Sequence, residues 1–136
     1  MQFFQININK HQTINCSLYN TVASDKILII VSATGVLQSF YKKIVAFFQT
    51  NSISTIMFDY AGIGKCLHGN INNENSSLIN WGSRDLEAVI KYTIDTFPNH
   101  KNILLSHSIG GPLIGLTLSP YMSDKLILVA SKYEHK

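Results

Sequence analysis

The sequence is poor in the residues that bind nucleic acids. Its 136 residues include eleven basic ones, of which only Arg84 is an arginine, and they are scattered along the chain with a net charge of +3. A protein that follows a phosphate backbone needs clustered positive charge interleaved with aromatic side chains. We therefore expect no nucleic-acid partner.

Cysteine and long hydrophobic runs are equally scarce. The two cysteines, Cys16 and Cys66, are far apart and form no C-x-x-C pair, which argues against a disulfide framework and fits a reducing compartment. The longest aliphatic run, residues 27–31, is far too short to span a bilayer. The N-terminus also lacks the basic leader of a secretory signal. These features predict a cytoplasmic protein with no membrane span.

Cofactor motifs are missing as well. No G-x-G-x-x-G stretch is present, and residues 62–65 (GIGK) lack the first glycine and the final hydroxyl residue of a phosphate-binding loop. The histidines and cysteines have no metal-ligand spacing. We expect neither a cofactor nor a metal.

Apolar residues dominate what remains, at 46% hydrophobic against 14% charged. A sheet buried on both faces would account for that excess. At this length, with no internal repeat and no linker, we expect residues 1–136 to form one domain.

Apolar periodicity predicts an α/β fold. Period-two alternation predicts an N-terminal antiparallel hairpin at Phe4, Ile6 and Ile8 and at Ile14, Cys16 and Leu18. Short apolar runs predict buried strands at 27–31, 53–58, 102–105 and 126–129. Helical spacing predicts helices at 37–48, at 86–97 with Asn80 or Ser83 as cap, and at 109–118 as a fully buried helix. This order predicts a mostly parallel sheet with helices on both faces.

A sharp turn is expected between the strand at 102–105 and the helix that follows. A turn this tight strains its central residue and brings the residues two before and two after it close together. Ser108 is central, with small Ser106 and Gly110 at those neighbouring positions. The stretch Ser106-His107-Ser108-Ile109-Gly110 resembles the G-x-S-x-G nucleophile elbow of the α/β-hydrolase superfamily. The alternative is an ordinary Ser/Gly-rich turn.

Further stretches carry the same resemblance. Residues 33–41 (ATGVLQSFY) are similar to the ATG-V-x-Q-x-F-Y turn of a bacterial group of predicted α/β-hydrolases, related to the serine aminopeptidase and lysophospholipase-like branch. Residues 59–66 resemble its D-Y-R-G-x-G-x-S segment, with Ala61 for arginine and Cys66 for serine. Residues 79–90 resemble the W-G-x-x-D-L-x-A-V helix entry, and 128–131 the L-V-A-S strand end. The likeness implies the N-terminal half of an α/β-hydrolase, a truncated form of the fold.

The resemblance also implies a chemistry. Ser108 would be the nucleophile of a serine hydrolase that cleaves ester, thioester or amide bonds of a small acyl substrate through an acyl-enzyme. The backbone amides of Val36 and Ile109 would form the oxyanion hole. Asp59 would have a structural role in its turn.

The acid and base of the triad are missing from these 136 residues, since in this superfamily both follow later strands. A serine hydroxyl without a base in reach is a poor nucleophile. We expect Asp and His to come from a C-terminal half of the polypeptide or from a second subunit. His107 adjoins Ser108, but neighbours across a sharp turn point apart. The other histidines, His11, His68, His100 and His135, fall in predicted loops or the tail.

A second hypothesis is a non-catalytic hydrolase remnant. Such a chain would serve as a binding or oligomerisation module, through its pocket or through an open sheet edge at residues 126–129. A third, a lipid- or acyl-binding module at a membrane surface, is opposed by the lack of a basic amphipathic helix.

Overall fold

The computed structural model describes residues 1–33, 35–61, 78–117 and 123–131. The strands are β1 (Gln2–Asn7), β2 (Thr13–Tyr19), β3 (Lys26–Val31), β4 (Ser54–Phe58), β5 (Lys101–His107) and β6 (Lys125–Val129). The helical segments are a 3₁₀ turn (Gln38–Tyr41), α1 (Lys42–Thr50), α2 (Leu78–Asn80), a π-helical turn (Trp81–Leu86), α3 (Glu87–Thr96) and α4 (Gly110–Ile114). None of the described helices is long and apolar enough to cross a membrane.

The six strands form one mixed sheet in the order β1-β2-β4-β3-β5-β6. β1 pairs antiparallel with β2, with Phe4 opposite Cys16 and Ile6 opposite Ile14, as the alternation predicted. β2 is also antiparallel to β4, whereas β4, β3, β5 and β6 are parallel to one another. The predicted hairpin and mostly parallel sheet are confirmed.

Helices cover both faces of the sheet. On one face, Ile29 and Leu104 pack with Leu86 and Val89 from the helical segments before β5. On the other face, Leu28, Ile30 and Leu105 pack with Tyr41 and with Val45 of α1. Successive strand residues point to opposite faces, so an unbroken apolar run such as that of β3 serves both cores.

The helix before β5 begins earlier than its apolar pattern predicted. Leu78 opens the first helical turn, and the chain passes through the π-helical turn before α3. The capping prediction was wrong: Asn80 makes no side-chain cap bond, and the Ser83 hydroxyl donates to the Ile79 carbonyl at 2.7 Å inside the helix. A serine inside a helix can donate its hydroxyl to the carbonyl four residues earlier, and it is then not available to cap the helix end.

Two elements after β5 are more exposed than predicted. The helix expected at 109–118 is observed as α4, and Leu116 beyond it is 40% exposed. β6 was expected to be a buried strand, but Leu126, Leu128 and Val129 are 48%, 54% and 45% exposed. The cause is position, because β6 is the edge of the sheet that the described residues form. The loop predicted at 68–77 lies outside the described residues.

Candidate active site

Ser108 stands at the sharp junction between β5 and α4. Its φ is +55°, in the left-handed region that residues other than glycine rarely adopt. That conformation costs about 1–2 kcal/mol for a residue with a Cβ. Its amide donates to the Val129 carbonyl of β6 at 3.0 Å, and its carbonyl accepts from the Gly111 amide at 3.3 Å. Ser108 therefore has the strained backbone expected at the centre of this turn.

Small residues flank Ser108 because the turn leaves no room for larger ones. A Cβ at Gly110 would lie 2.6 Å from the Val31 carbonyl oxygen and 3.2 Å from the Ser106 Cβ. Ser106, where the family motif has glycine, fits in the turn with no exposed surface. Its hydroxyl has no hydrogen-bond partner among the described residues. Serine is thus tolerated here at the cost of one unpaired buried hydroxyl.

The candidate nucleophile and the two candidate oxyanion donors differ in their hydrogen bonding. Within the described part of the chain, the Ser108 hydroxyl makes no hydrogen bond and the Ile109 amide donates none. The Val36 amide, by contrast, donates to the Ala33 carbonyl at 3.1 Å. Gly35, at φ +73°, turns the chain between them with open space beside its Cα. Of the two amides in the expected oxyanion hole, one is available and one is engaged in a turn.

Side chains hold this turn after β3 on several sides. The Tyr60 hydroxyl donates to the Ser32 carbonyl at 3.1 Å. The Ala33 amide donates to the Tyr41 hydroxyl oxygen, also at 3.1 Å. Fixed backbone donors are what stabilisation of an oxyanion needs, because they require no reorganisation during reaction.

Asp59 anchors the far end of the same turn. Its two carboxylate oxygens accept from the Gln38 amide at 3.0 Å and from the Gln38 side chain at 2.9 Å. The Gln38 side-chain oxygen in turn accepts from the Ser17 hydroxyl at 2.6 Å. All three residues are buried. The contacts give Asp59 a structural part in the turn and link the glutamine of one motif to the aspartate of the next.

Residues of the stretch 79–90, the third that resembles a hydrolase motif, bind the backbone of Ala61 just after β4. The Trp81 indole donates to the Ala61 carbonyl at 3.1 Å, and the Asp85 carboxylate accepts from the Ala61 amide at 2.8 Å. Arg84 pairs with the other Asp85 oxygen at 2.8 Å. Burial raises the pKa of Asp85, against the opposing effects of Arg84 and the Ala61 amide. The sequence analysis did not predict these two bonds to the Ala61 backbone. The four-residue spacing of Trp81 and Asp85 was the available signal, because it puts both on one helix face.

The described histidines do not approach Ser108 as a base would. His107 Nδ1 lies 3.0 Å from the Tyr41 hydroxyl, and its ring packs against Phe40 and Tyr41. His100 precedes β5 whereas Ser108 follows it, so the two are about 26 Å apart at about 3.3 Å per strand residue. His11 lies in the β1–β2 turn, at the opposite edge of the sheet. His68 and His135 lie outside the described residues.

Metal binding finds no support in the same part of the chain. Residues 1–33, 35–61, 78–117 and 123–131 contain no group of three or more histidine, cysteine, aspartate or glutamate side chains that could hold a metal ion.

Three of the solved structures that resemble this chain are an esterase, a serine hydrolase and an alpha/beta hydrolase domain-containing protein. A thermostable carboxyl esterase from Bacillus coagulans superposes with a TM-score of 0.78 at 17% identity, over 93% of this chain and 43% of its own. A lidless serine hydrolase from Xanthomonas campestris gives 0.72 at 13% identity, over 98% and 63%. Mouse alpha/beta hydrolase domain-containing protein 10 gives 0.71 at 18% identity, over 96% and 50%. No protein-family model and no curated protein sequence matches the chain.

The chain therefore has the α/β-hydrolase fold, and that prediction is confirmed. It spans 43% to 63% of the length of these three neighbours. The bacterial branch that the ATG-V-x-Q turn resembles stays a prediction.

Proposed function

We propose that the chain carries the nucleophile of a serine hydrolase that acts on ester, thioester or amide bonds of a small acyl substrate. The observation that carries this proposal is the backbone of Ser108, left-handed at the carboxyl end of β5. Esterases and serine hydrolases among the structural neighbours support it. A cytoplasmic location and a single domain over residues 1–136 belong to the same proposal.

In the proposed reaction, the Ser108 oxygen attacks the substrate carbonyl carbon while its proton passes to a base. The carbonyl oxygen becomes an oxyanion, which the Ile109 amide and the Val36 amide bind. The tetrahedral intermediate then collapses, releasing an alcohol, thiol or amine that takes up the proton. Water attacks the acyl-enzyme by the same route and restores Ser108.

To bind an oxyanion, the Val36 amide must give up or share its hydrogen bond to the Ala33 carbonyl. A neutral backbone hydrogen bond is worth about 1 kcal/mol net. An amide aimed at an oxyanion lowers the barrier by about 3–4 kcal/mol. The exchange of the Ala33 carbonyl for an oxyanion is therefore favourable.

The acid and base of the proposed triad have to come from outside the described residues. We propose that they follow strands that pair with β6, supplied by a C-terminal half of the polypeptide or by a second subunit. β6 suits such pairing because its apolar residues are exposed on both faces of the sheet. Leu128 faces α4, and Ile127 packs with the core on the α1 side. Interior parallel strands have this two-sided apolar pattern, whereas natural edge strands are blunted by charge.

A fluorophosphonate probe tests the nucleophile, because it reacts with activated serines. The 136-residue chain would be labelled beside Ser108→Ala, with Ser83→Ala as the control that removes an exposed serine. Labelling lost only in Ser108→Ala supports the proposal. Labelling that persists in Ser108→Ala contradicts it. Because the proposal takes the base from a C-terminal half or a second subunit, the same labelling is repeated with that polypeptide present. A folded chain whose Ser108 is not labelled even then would lack an activated serine and would favour the second candidate function.

That second candidate is a non-catalytic module that associates through β6. The observation in its favour is the exposed apolar edge, which favours pairing with another chain. Sedimentation of the unlabelled chain would then show a complex that Leu128→Glu dissolves. Leu116→Glu, at an exposed leucine outside the sheet, is the matched control and should leave the complex intact. A monomeric wild type excludes self-association.

A further inference from the structure

Tyr41 connects the turn after β3 to the strand that carries Ser108. Its hydroxyl oxygen lies 3.1 Å from the Ala33 amide nitrogen and 3.0 Å from His107 Nδ1. The side chain is 2% exposed. The buried Tyr41 hydroxyl therefore contacts His107, which precedes Ser108, and Ala33, whose carbonyl accepts from the Val36 amide.

The donors and acceptors around this hydroxyl allow one fully paired arrangement. The Ala33 amide can only donate, so the Tyr41 oxygen accepts from it. The phenolic hydrogen is then donated to Nδ1 of His107, which must be unprotonated, and the ring proton is on Nε2. With the proton on Nδ1 instead, the phenolic hydrogen would be buried without an acceptor, which is costly. Burial also raises the pKa of Tyr41, so the phenol keeps its proton at neutral pH.

Aromatic packing restricts the same imidazole. The Phe40 ring is nearly parallel to it, at 4° with ring centroids 6.4 Å apart. The Tyr41 ring meets it edge to face, at 82° and 5.9 Å. Two consecutive residues of the 3₁₀ turn thus flank the His107 ring on two sides. Rotation of that ring would break both contacts and the hydrogen bond together.

We propose that Tyr41 is a positioning residue that holds the oxyanion turn, here Ala33, Gly35 and Val36, in place relative to Ser108. The inference rests on the proposed function, since the turn matters for catalysis only if Ser108 is the nucleophile. Without the hydroxyl, the Ala33 amide loses its acceptor and its carbonyl no longer holds Val36 in one place. His107 loses the donor that selects its tautomer.

Tyr41→Phe tests this role because it removes the hydroxyl and keeps the ring. Tyr60→Phe is the matched control, since it also removes a buried hydroxyl, bonded to the adjacent Ser32 carbonyl. Nitrogen-15 NMR of the imidazole reports its tautomer, and amide hydrogen exchange reports the turn. In Tyr41→Phe we expect the His107 tautomer preference to be lost and the Ala33 and Val36 amides to exchange about five- to tenfold faster. Tyr60→Phe should leave the tautomer unchanged.

The wild-type spectrum is a test by itself, which does not depend on any variant folding. A ring proton on Nδ1 of His107 would overturn the proposal. So would a Tyr41→Phe chain whose His107 tautomer and whose Ala33 and Val36 exchange rates match those of wild type. Failure of the proposed function is a separate result, because probe labelling reports Ser108 while the NMR signals report the resting turn.

Discussion

The best-defined consequence of the structure concerns Gly110→Ala. The added Cβ would lie 2.6 Å from the carbonyl oxygen of Val31, a backbone atom at the end of the central strand β3 that cannot rotate away. Overpacking of this kind costs about 1–3 kcal/mol, and the upper end applies because the strand cannot yield. Alanine gains about 0.5–1 kcal/mol over glycine within a helix. The net expectation is a loss of about 2 kcal/mol in the free energy of unfolding.

Gly111→Ala is the matched control, one residue along the same helix. Its Cβ would meet the Ser131 hydroxyl, on an exposed side chain that can turn away, and would lie 3.1 Å from the Ser131 Cβ, which must shift slightly. The helix gain then offsets the small shift, and the stability should stay within about 0.5 kcal/mol of wild type. Urea unfolding measures both: with a slope of about 2 kcal/mol per molar, Gly110→Ala should lower the midpoint by about 1 M. A Gly110→Ala chain as stable as Gly111→Ala would refute the close approach to β3.

Three further predictions concern single side chains, each measured by urea unfolding. Ser106→Ala removes an unpaired buried hydroxyl and should stabilise the chain by about 1 kcal/mol; a loss would mean that the hydroxyl has a partner. Ser108→Gly should be more stable than Ser108→Ala by about 0.5–1 kcal/mol, since glycine relieves the left-handed φ, and the reverse order would argue against strain. Burial raises the pKa of Asp85 above its ordinary 3.8, so the folded chain binds this proton more tightly than the unfolded chain. Protonated Asp85 therefore contributes to the free energy of unfolding below its ordinary pKa. This contribution is lost as the pH rises through the raised pKa of the folded chain. Wild type should therefore gain stability relative to Asp85→Asn from about pH 7 to about pH 4, and a relative loss would contradict the burial effect.

The motif residues show where sequence reasoning reached its limit. Gln38, Asp59, Trp81 and Asp85 lie in three separate stretches that resemble hydrolase motifs, and nothing in their spacing says that they bond. The structure pairs Gln38 with Asp59 and brings Trp81 and Asp85 together on Ala61. These contacts join residues twenty or more positions apart, so they depend on the strand order of the sheet and cannot be read from local periodicity.

The strained turn at Ser108 was within reach of the sequence. Two apolar runs with small residues between them require a sharp strand-to-helix junction, and the structure has a φ of +55° there. The partner of His107 was not within reach, because its ring contacts Tyr41 from a turn 66 residues earlier. The hydrogen bonding of the two amides was also out of reach. Only the folded turns show that the Val36 amide is engaged and that the Ile109 amide is available.

Local patterns were sufficient for the hairpin, for the doubly covered strand β3 and for the alternation of strands and helices, because side-chain period and backbone preference act over a few residues. Tertiary structure alone decided the exposure of β6. Residues 125–129 have the apolar run of an interior strand, yet they form the sheet edge in the described part of the chain. Burial depends on what packs against a segment, and a segment's own sequence cannot specify its neighbour.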